Sequence, residues 1–458
     1  MKDEVVEPAK ADRGVGPGLR VVAHRILGQV LRGNASSSLL LERSHFRAGP
    51  DRALATELVF GCLRRLRALD WVLAQVASRP LANVEPGLLD ALRLGAYQLL
   101  FLERVPAYAA VGESVEIAKR IGSPREASFA NGVLRSLERR RSELALPGPD
   151  DRRGYLETTL SIPPWLAERW TRRFGAEATI RMAESVARPA AMVLRVITVR
   201  GAAAEVTAEL AGSGVTVTPG RYLAEALRVE DGAVLASRAF REGRVTIQDE
   251  AAQLVAHLVT PLPGERVLDA CAAPGGKSMA LADGTGAHVV ACDSRPGRLA
   301  LVRANLERTR LQGVTLLAAD AALPPFASDT LFDRVLVDAP CTGTGTLRRN
   351  PEVRYRVADD RLLASGATAG KILAAVAALV RVGGRLVYAT CSLEPEENEH
   401  VIASFLATAE GARFRPVDAG PLLPETARGL AGADGVLRTQ PADPELDGFT
   451  AFVLTRES

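Results

Sequence analysis

Two cysteines stand where a sheet would present them. Val335-Leu336-Val337-Asp338-Ala339-Pro340-Cys341-Thr342-Gly343-Thr344-Gly345 is an apolar run, an acid, then a thiol in a loop of glycines and hydroxyls, and in Tyr388-Ala389-Thr390-Cys391-Ser392, fifty residues later, a second thiol follows a predicted strand. A buried strand reads as a run of β-branched residues and leucine, and a loop leaving its carboxyl end is where open α/β sheets hold ligands. A thiolate in such a loop can attack an electron-poor carbon.

Acidic residues close four successive predicted strands: Asp269, Asp293, Asp320 and Asp338. One such residue alone commonly caps a helix; four in register read as acceptors for a ligand. Asp293 follows Asp269 by about two dozen residues, the spacing at which an acid accepts hydrogen bonds from ribose hydroxyls. Asp320 is then expected beside an adenine, and Asp338 beside the cationic part of the ligand or the reacting base. The loop Cys271-Ala272-Ala273-Pro274-Gly275-Gly276-Lys277-Ser278 lets backbone approach a ligand before a helix starts. It is no Walker A loop, because Cys271 stands where glycine is required, and GxGxxG is absent. What remains is a small-molecule cradle without a pyrophosphate grip, with Lys277 at its active-site end and Arg298 at the start of the next helix.

The elements that must position these groups divide the chain. Residues 1–18 read as a flexible tail. Residues 19–145 carry apolar positions at helical spacing, as in Val22, Ile26, Leu27 and Val30, and predict an all-helical domain. The Pro- and Gly-rich stretch 146–154 reads as a linker and 155–244 as a small α+β adapter. From 245 to 458 strand, loop and helix alternate, the pattern of a doubly wound sheet. Strands are expected at Arg266–Leu268, His288–Cys292, Thr315–Ala318, Arg334–Val337, Arg385–Ala389 and Ala451–Leu454.

A net charge of +3 over 458 residues is no argument for a polyanionic partner, so basic clusters must carry one. Lys119, Arg120, Arg125, Arg135, Arg139, Arg140 and Arg141 gather late in the helical domain, either as a solvated face or as an RNA-contacting edge. Arg348, Arg349, Arg354 and Tyr355 follow the glycines after Cys341, a combination of phosphate-binding arginine and stacking ring that suits a single-stranded or flipped nucleotide. The cysteines Cys62, Cys271, Cys292, Cys341 and Cys391 form no CxxC pair and no histidine cluster joins them, so no metal site is expected. Sparse free thiols, an N-terminus without an apolar core and the lack of a long apolar run predict a cytoplasmic chain with no membrane partner.

Three motifs together carry a resemblance: Asp269 to Ser278, Asp338 to Gly345, and Tyr388 to Glu399 with its Thr390-Cys391-Ser392-Leu393-Glu394-Pro395-Glu396-Glu397-Asn398 core. In this order they resemble the S-adenosylmethionine-dependent RNA cytosine-5 methyltransferases. Val245 to Glu250 resembles that family's entry motif and Asp447-Gly448-Phe449 its closing strand, although Thr450 stands where a second aromatic is usual. The helical domain resembles the NusB-like RNA-binding domain, a combination found in the bacterial Sun/RsmB branch. The resemblance implies a Rossmann-like α/β methyltransferase sheet, an S-adenosyl-L-methionine cofactor, small-subunit (16S) ribosomal RNA as partner, 5-methylcytidine as product, and a monomer.

Carbon 5 of cytosine is a poor nucleophile and must be activated by a thiolate adding at carbon 6. Amino-group methyltransferases instead hold an exocyclic amine with an aromatic where this chain has Cys341. Spacing does not say which thiol attacks. DNA cytosine methyltransferases would select Cys341, after proline; the RNA family implies Cys391 as nucleophile and Cys341 as the residue assisting release, with Asp338 bonding the base near ring nitrogen 3. Transfer RNA methylation by the same chemistry and a non-catalytic RNA-binding assembly factor are the rival readings.

Overall fold

The computed structural model describes residues 18–33, 35–46, 49–327, 329–442 and 446–458. The tail expected over 1–18 lies, but for Gly18, outside them. The chain divides into two compact units, one comprising residues up to Arg169 with the segment Asn350–Tyr355, the other Trp170–Arg349 with Arg356–Ser458.

The first unit is helical: α1 (Leu19–Arg32), α2 (Ser37–Arg43), α3 (Gly49–Arg64), α4 (Leu66–Val76), α5 (Pro86–Phe101), α6 (Ala107–Ile121) and α7 (Pro124–Arg140). Each helix carries a stripe of leucine, isoleucine and valine, and these stripes bury Ile26, Leu27, Leu58, Leu63, Leu69, Leu73, Leu92 and Leu134 in one core. Starts are marked by side chains. Ser123 and Glu126 form a reciprocal capping box with Pro124 in the first turn of α7, and Glu85 caps α5 ahead of Pro86. The buried carboxylate of Asp90 is held between Arg32, at 2.5 Å, and Arg93, at 3.0 Å.

The second unit holds two sheets. The smaller runs in the order β2-β3-β1-β4 and is antiparallel throughout, with β1 (Val193–Val196), β2 (Thr216–Pro219), β3 (Ala226–Asp231) and β4 (Val245–Ile247). The helix Ala203–Gly212 lays Val206 and Leu210 on its inner face against Leu194, Val196, Leu227 and Val245. β4 therefore belongs to this sheet, so the boundary expected at 244/245 falls inside it. The polar and charged residues of β3 break the apolar pattern of a buried strand.

The larger sheet contains β5 (Arg266–Asp269), β6 (His288–Asp293), β7 (Val314–Ala318), β8 (Phe332–Asp338), β9 (Val380–Thr390), β10 (Phe414–Val417), β11 (Leu437–Arg438) and β12 (Thr450–Arg456). Its order is β10-β12-β9-β8-β5-β6-β7, with β11 added on β12. From β7 to β9 all pairings are parallel, whereas β12 is antiparallel to both β9 and β10. Val335, Leu336 and Val337 are fully buried, as a parallel strand covered on both faces requires. The chain leaves β5 toward β6 and β7, then returns to lay β8 on the other side of β5. That reversal puts a topological switch point at the carboxyl ends of β5 and β8, where ligands bind in such sheets.

Candidate active site

Every strand-end acid singled out from the sequence lies on this carboxyl edge. Asp269 ends β5, Asp293 ends β6, Asp338 ends β8, and Asp320 follows β7 by two residues. β8 and β9 pair Asp338 with Ala389, which brings the loops bearing Cys341 and Cys391 side by side. Their sulphurs are 3.3 Å apart. Three hydrogen bonds stitch the loops together, Gly345 N to Cys391 O at 3.0 Å, Leu393 N to Thr344 Oγ1 at 3.0 Å and Thr344 Oγ1 with Ser392 Oγ at 3.2 Å, and Gly448 N, just ahead of β12, donates to Gly345 O at 2.8 Å. Gly345 must be glycine here, because a Cβ would stand 2.0 Å from the Gly448 carbonyl.

The Cys391 loop is closed from within by Asn398. Its Oδ1 accepts from Thr390 Oγ1 at 2.6 Å, and its Nδ2 donates to the carbonyls of Ser392 and Glu394, each at 2.9 Å. Trp170 Nε1, within the same unit, donates to Glu394 Oε1 at 3.2 Å. The Asn-containing motif was legible in sequence; its job as an internal tie was not.

Charge is distributed unevenly around the two sulphurs. Lys277 Nζ pairs with Asp338 Oδ2 at 2.7 Å and sits 4.9 Å from the centre of the Phe449 ring. Burial works against that ammonium, but Asp338 and then the Cys391 sulphur outweigh it and hold Lys277 above its ordinary value. Cys341 faces the opposite sign. Its hydrogen bond with Cys391, its burial and the negative charges of Glu397 and Asp338 push its thiol well above the usual range. Negative charge therefore lies by the Cys341 sulphur.

Asp269 is fully buried, and burial pushes its carboxyl up to about 7 although Ser278 Oγ donates to Oδ2 at 2.6 Å. Among the described residues its Oδ1 has no partner at good hydrogen-bonding geometry, although the Cys271 backbone also helps to lower the carboxyl. Cys271, Ala272, Ala273, Pro274, Gly275 and Gly276 form that loop, with Gly275 at φ +104° and a Cβ there meeting Val302 at 2.8 Å. Asp293 accepts from Arg295 N at 2.9 Å and pairs with Arg298 NH1 at 3.3 Å, while Arg298 NH2 donates to Ala273 O at 2.7 Å. Arg298 thus braces the cradle between two of its walls. Asp320 is exposed, and its carboxylate accepts from Ala322 N at 2.9 Å.

The basic loop is a correction. Arg348, Arg349, Arg354 and Tyr355 were expected to reach outward, and instead are committed inside the protein. Arg349 donates to Asp447 Oδ2 at 2.7 Å and to Asp249 Oδ2 at 2.6 Å, both carboxylates buried. Arg348, only 5 % exposed, donates to Pro189 O at 3.1 Å. Within the helical unit, Arg354 NH1 donates to the carbonyls of Leu160 and Ser161, and Tyr355 OH to Leu63 O at 2.8 Å. Glu352 beside them accepts from both the amide and the hydroxyl of Ser37. Buried guanidinium groups need such acceptors, and these lie far away in sequence. The basic residues late in the helical domain are exposed, and Lys119, Arg135 and Arg140 pair with glutamates three residues away.

Strand-end carboxylates around a topological switch point, with two thiols in contact and a lysine–aspartate pair, are the arrangement of a Rossmann-like methyltransferase. Residues 256–454 match the family described as 16S rRNA methyltransferase RsmB/F, residues 19–139 the NusB family, and residues 162–235 the RsmF/B-like ferredoxin-like domain. The chain is 36% identical over 441 residues to the probable ribosomal RNA small subunit methyltransferase B of Bacillus subtilis, covering 94% of this chain and 97% of that one. It is 35% identical over 391 residues to ribosomal RNA small subunit methyltransferase B of Yersinia pseudotuberculosis, covering 85% and 90%. The crystal structure of PH0851 superposes with a TM-score of 0.79 at 25% identity over 96% of this chain and 100% of that one. A methyltransferase homologue from Pyrococcus horikoshii gives 0.56 at 26% identity over 68% and 100%. The chain belongs to the RsmB/F family of ribosomal RNA methyltransferases.

Proposed function

We propose that this chain transfers a methyl group from S-adenosylmethionine to carbon 5 of a cytidine in small-subunit ribosomal RNA, with Cys391 attacking carbon 6 and Cys341 assisting release. The observation that carries the reading is the 3.3 Å contact between the two sulphurs on the carboxyl edge of the sheet. An amino-group methyltransferase has no use for paired thiols there. The names of the relatives supply the RNA class.

The cradle fits the methyl donor by its chemistry. Asp293 is an acceptor for ribose hydroxyls, Asp320 for an exocyclic amine, and the buried orphan oxygen of Asp269 and the small residues from Cys271 to Gly276 suit a cationic ligand lying close to backbone. When bound, the donor supplies an electrophilic methyl on sulfonium.

The protein's own residues do the rest. Cys391 attacks as its thiolate, the nucleophilic form of a cysteine. Addition to carbon 6 moves electron density to carbon 5, which takes the methyl. Asp338, oriented by Lys277, bonds the base near ring nitrogen 3 and favours its protonation as that density builds. The test is transfer from labelled S-adenosylmethionine to purified small-subunit ribosomal RNA and to transfer RNA. The reading requires 5-methylcytidine in the ribosomal RNA; label confined to transfer RNA, or to a base amine, refutes it.

A further inference from the structure

Glu397 is fully buried at the end of the short turn Pro395–Glu397, and both of its carboxylate oxygens serve one residue. Thr342 donates its backbone N–H to Oε1 and its hydroxyl to Oε2, each at 2.6 Å. The backbone carbonyl of Glu397 in turn accepts from Tyr388 OH at 2.5 Å, which fixes the turn to β9. Burying a carboxylate is costly unless donors meet it, and a loop that needed only a cap would be served by serine or asparagine. A full charge has instead been placed behind the residue that follows Cys341. Short, charge-assisted bonds of this kind hold geometry more tightly than neutral ones.

We propose that Glu397 is a positioning residue for product release: by gripping Thr342 it keeps the Cys341 thiol against the Cys391 sulphur. The inference rests on the assignment of the two cysteines above and deepens it. At release, the carbon 5 proton passes to water, and the electron pair of that C–H bond forms the double bond between carbons 5 and 6. The bond from carbon 6 to Cys391 breaks, with its pair going to sulphur. The Cys341 S–H, 3.3 Å away, donates its proton to that sulphur and is reprotonated from water, so the methylated base leaves and both thiols are restored. Among the described residues Glu397 bonds Thr342 rather than either sulphur, and its charge adds to what holds the Cys341 thiol protonated, so Thr342→Val isolates the positioning contact.

The experiment is a single-turnover reaction of the full chain with S-adenosylmethionine and unmodified small-subunit ribosomal RNA, following covalent protein–RNA adduct on denaturing gels and methylated product separately. Glu397→Gln and Thr342→Val should form adduct at the wild-type rate and release product roughly tenfold more slowly, the effect of losing one charge-assisted bond from a positioning contact. Thr342→Ser keeps both donors and should release as wild type does. Cys341→Ala is the reference for arrested release. Wild-type release in Glu397→Gln and Thr342→Val, alongside adduct accumulation in Cys341→Ala, overturns the role of Glu397 and leaves the cysteine assignment standing. Equal losses in adduct formation and release overturn it as well, as a merely structural contribution. If Cys341→Ala accumulates no adduct, the cysteine assignment fails and takes this inference with it.

Discussion

Lys277 Nζ stands 2.7 Å from Asp338 Oδ2, joining the first turn of the helix Gly276–Ala282 to the end of β8. The pair is largely shielded, with Lys277 12 % and Asp338 27 % exposed in their side chains. Removing the lysine leaves a half-shielded carboxylate unpaired and strips positive charge from beside Cys391. Lys277→Ala should cost about 1–3 kcal/mol of stability and slow adduct formation. Denaturant unfolding and single-turnover kinetics check the two effects, and Lys277→Arg should recover more of the first than of the second, because a guanidinium fork does not reproduce a compact ammonium.

Asp269 links stability to pH. Burial raises its carboxyl from 3.8 to about 7, so across that interval the folded chain keeps a proton that the unfolded chain has lost. The stabilising contribution is complete below the ordinary carboxylate range and drains away as pH rises to about 7, by at most roughly 1.4 kcal/mol per pH unit. Asp269→Asn should flatten that decline. Melting temperatures of the two proteins between pH 5 and 8 should fall in parallel if Asp269 is not the cause.

Arg349 is predicted to matter for folding rather than for grip on RNA. Arg349→Met leaves Asp249 and Asp447 facing each other, buried and unneutralised, and should cost about 3–5 kcal/mol. The salt dependence of RNA binding should keep its slope, since no phosphate contact is lost. A flatter slope with unchanged stability would restore Arg349 to the RNA-binding set.

Gly345→Ala should displace the Asp447-Gly448-Phe449 segment, because the new Cβ would stand 2.0 Å from the Gly448 carbonyl. Phe449 then loses its place over Lys277. Transfer should fall by roughly a hundredfold, measured as product per turnover at saturating donor, with the β-sheet signature in circular dichroism retained.

What the sequence revealed followed from what burial does to composition. Strands such as Val335-Leu336-Val337 lie buried on both faces and therefore read as apolar runs. β3, carrying Arg228, Glu230 and Asp231, and β10, carrying Arg415 and Pro416, gave no such signal. The cysteines and strand-end acids were legible because chemistry there needs particular residue types. The arginines after Cys341 misled because a buried charge is defined by its partners, and Arg349 finds its own 98 and 100 residues away. Glu397 was visible within a motif, yet its role depended on Thr342, 55 residues earlier.

The central claim is the division of labour between the two sulphurs. Its most direct test is to react Cys341→Ala with ribosomal RNA and S-adenosylmethionine, digest the trapped species and locate the nucleotide by mass spectrometry. The account predicts a methylated cytidine on the peptide containing Cys391, and neither adduct nor product from Cys391→Ala. Full methyl transfer by Cys391→Ala would contradict it.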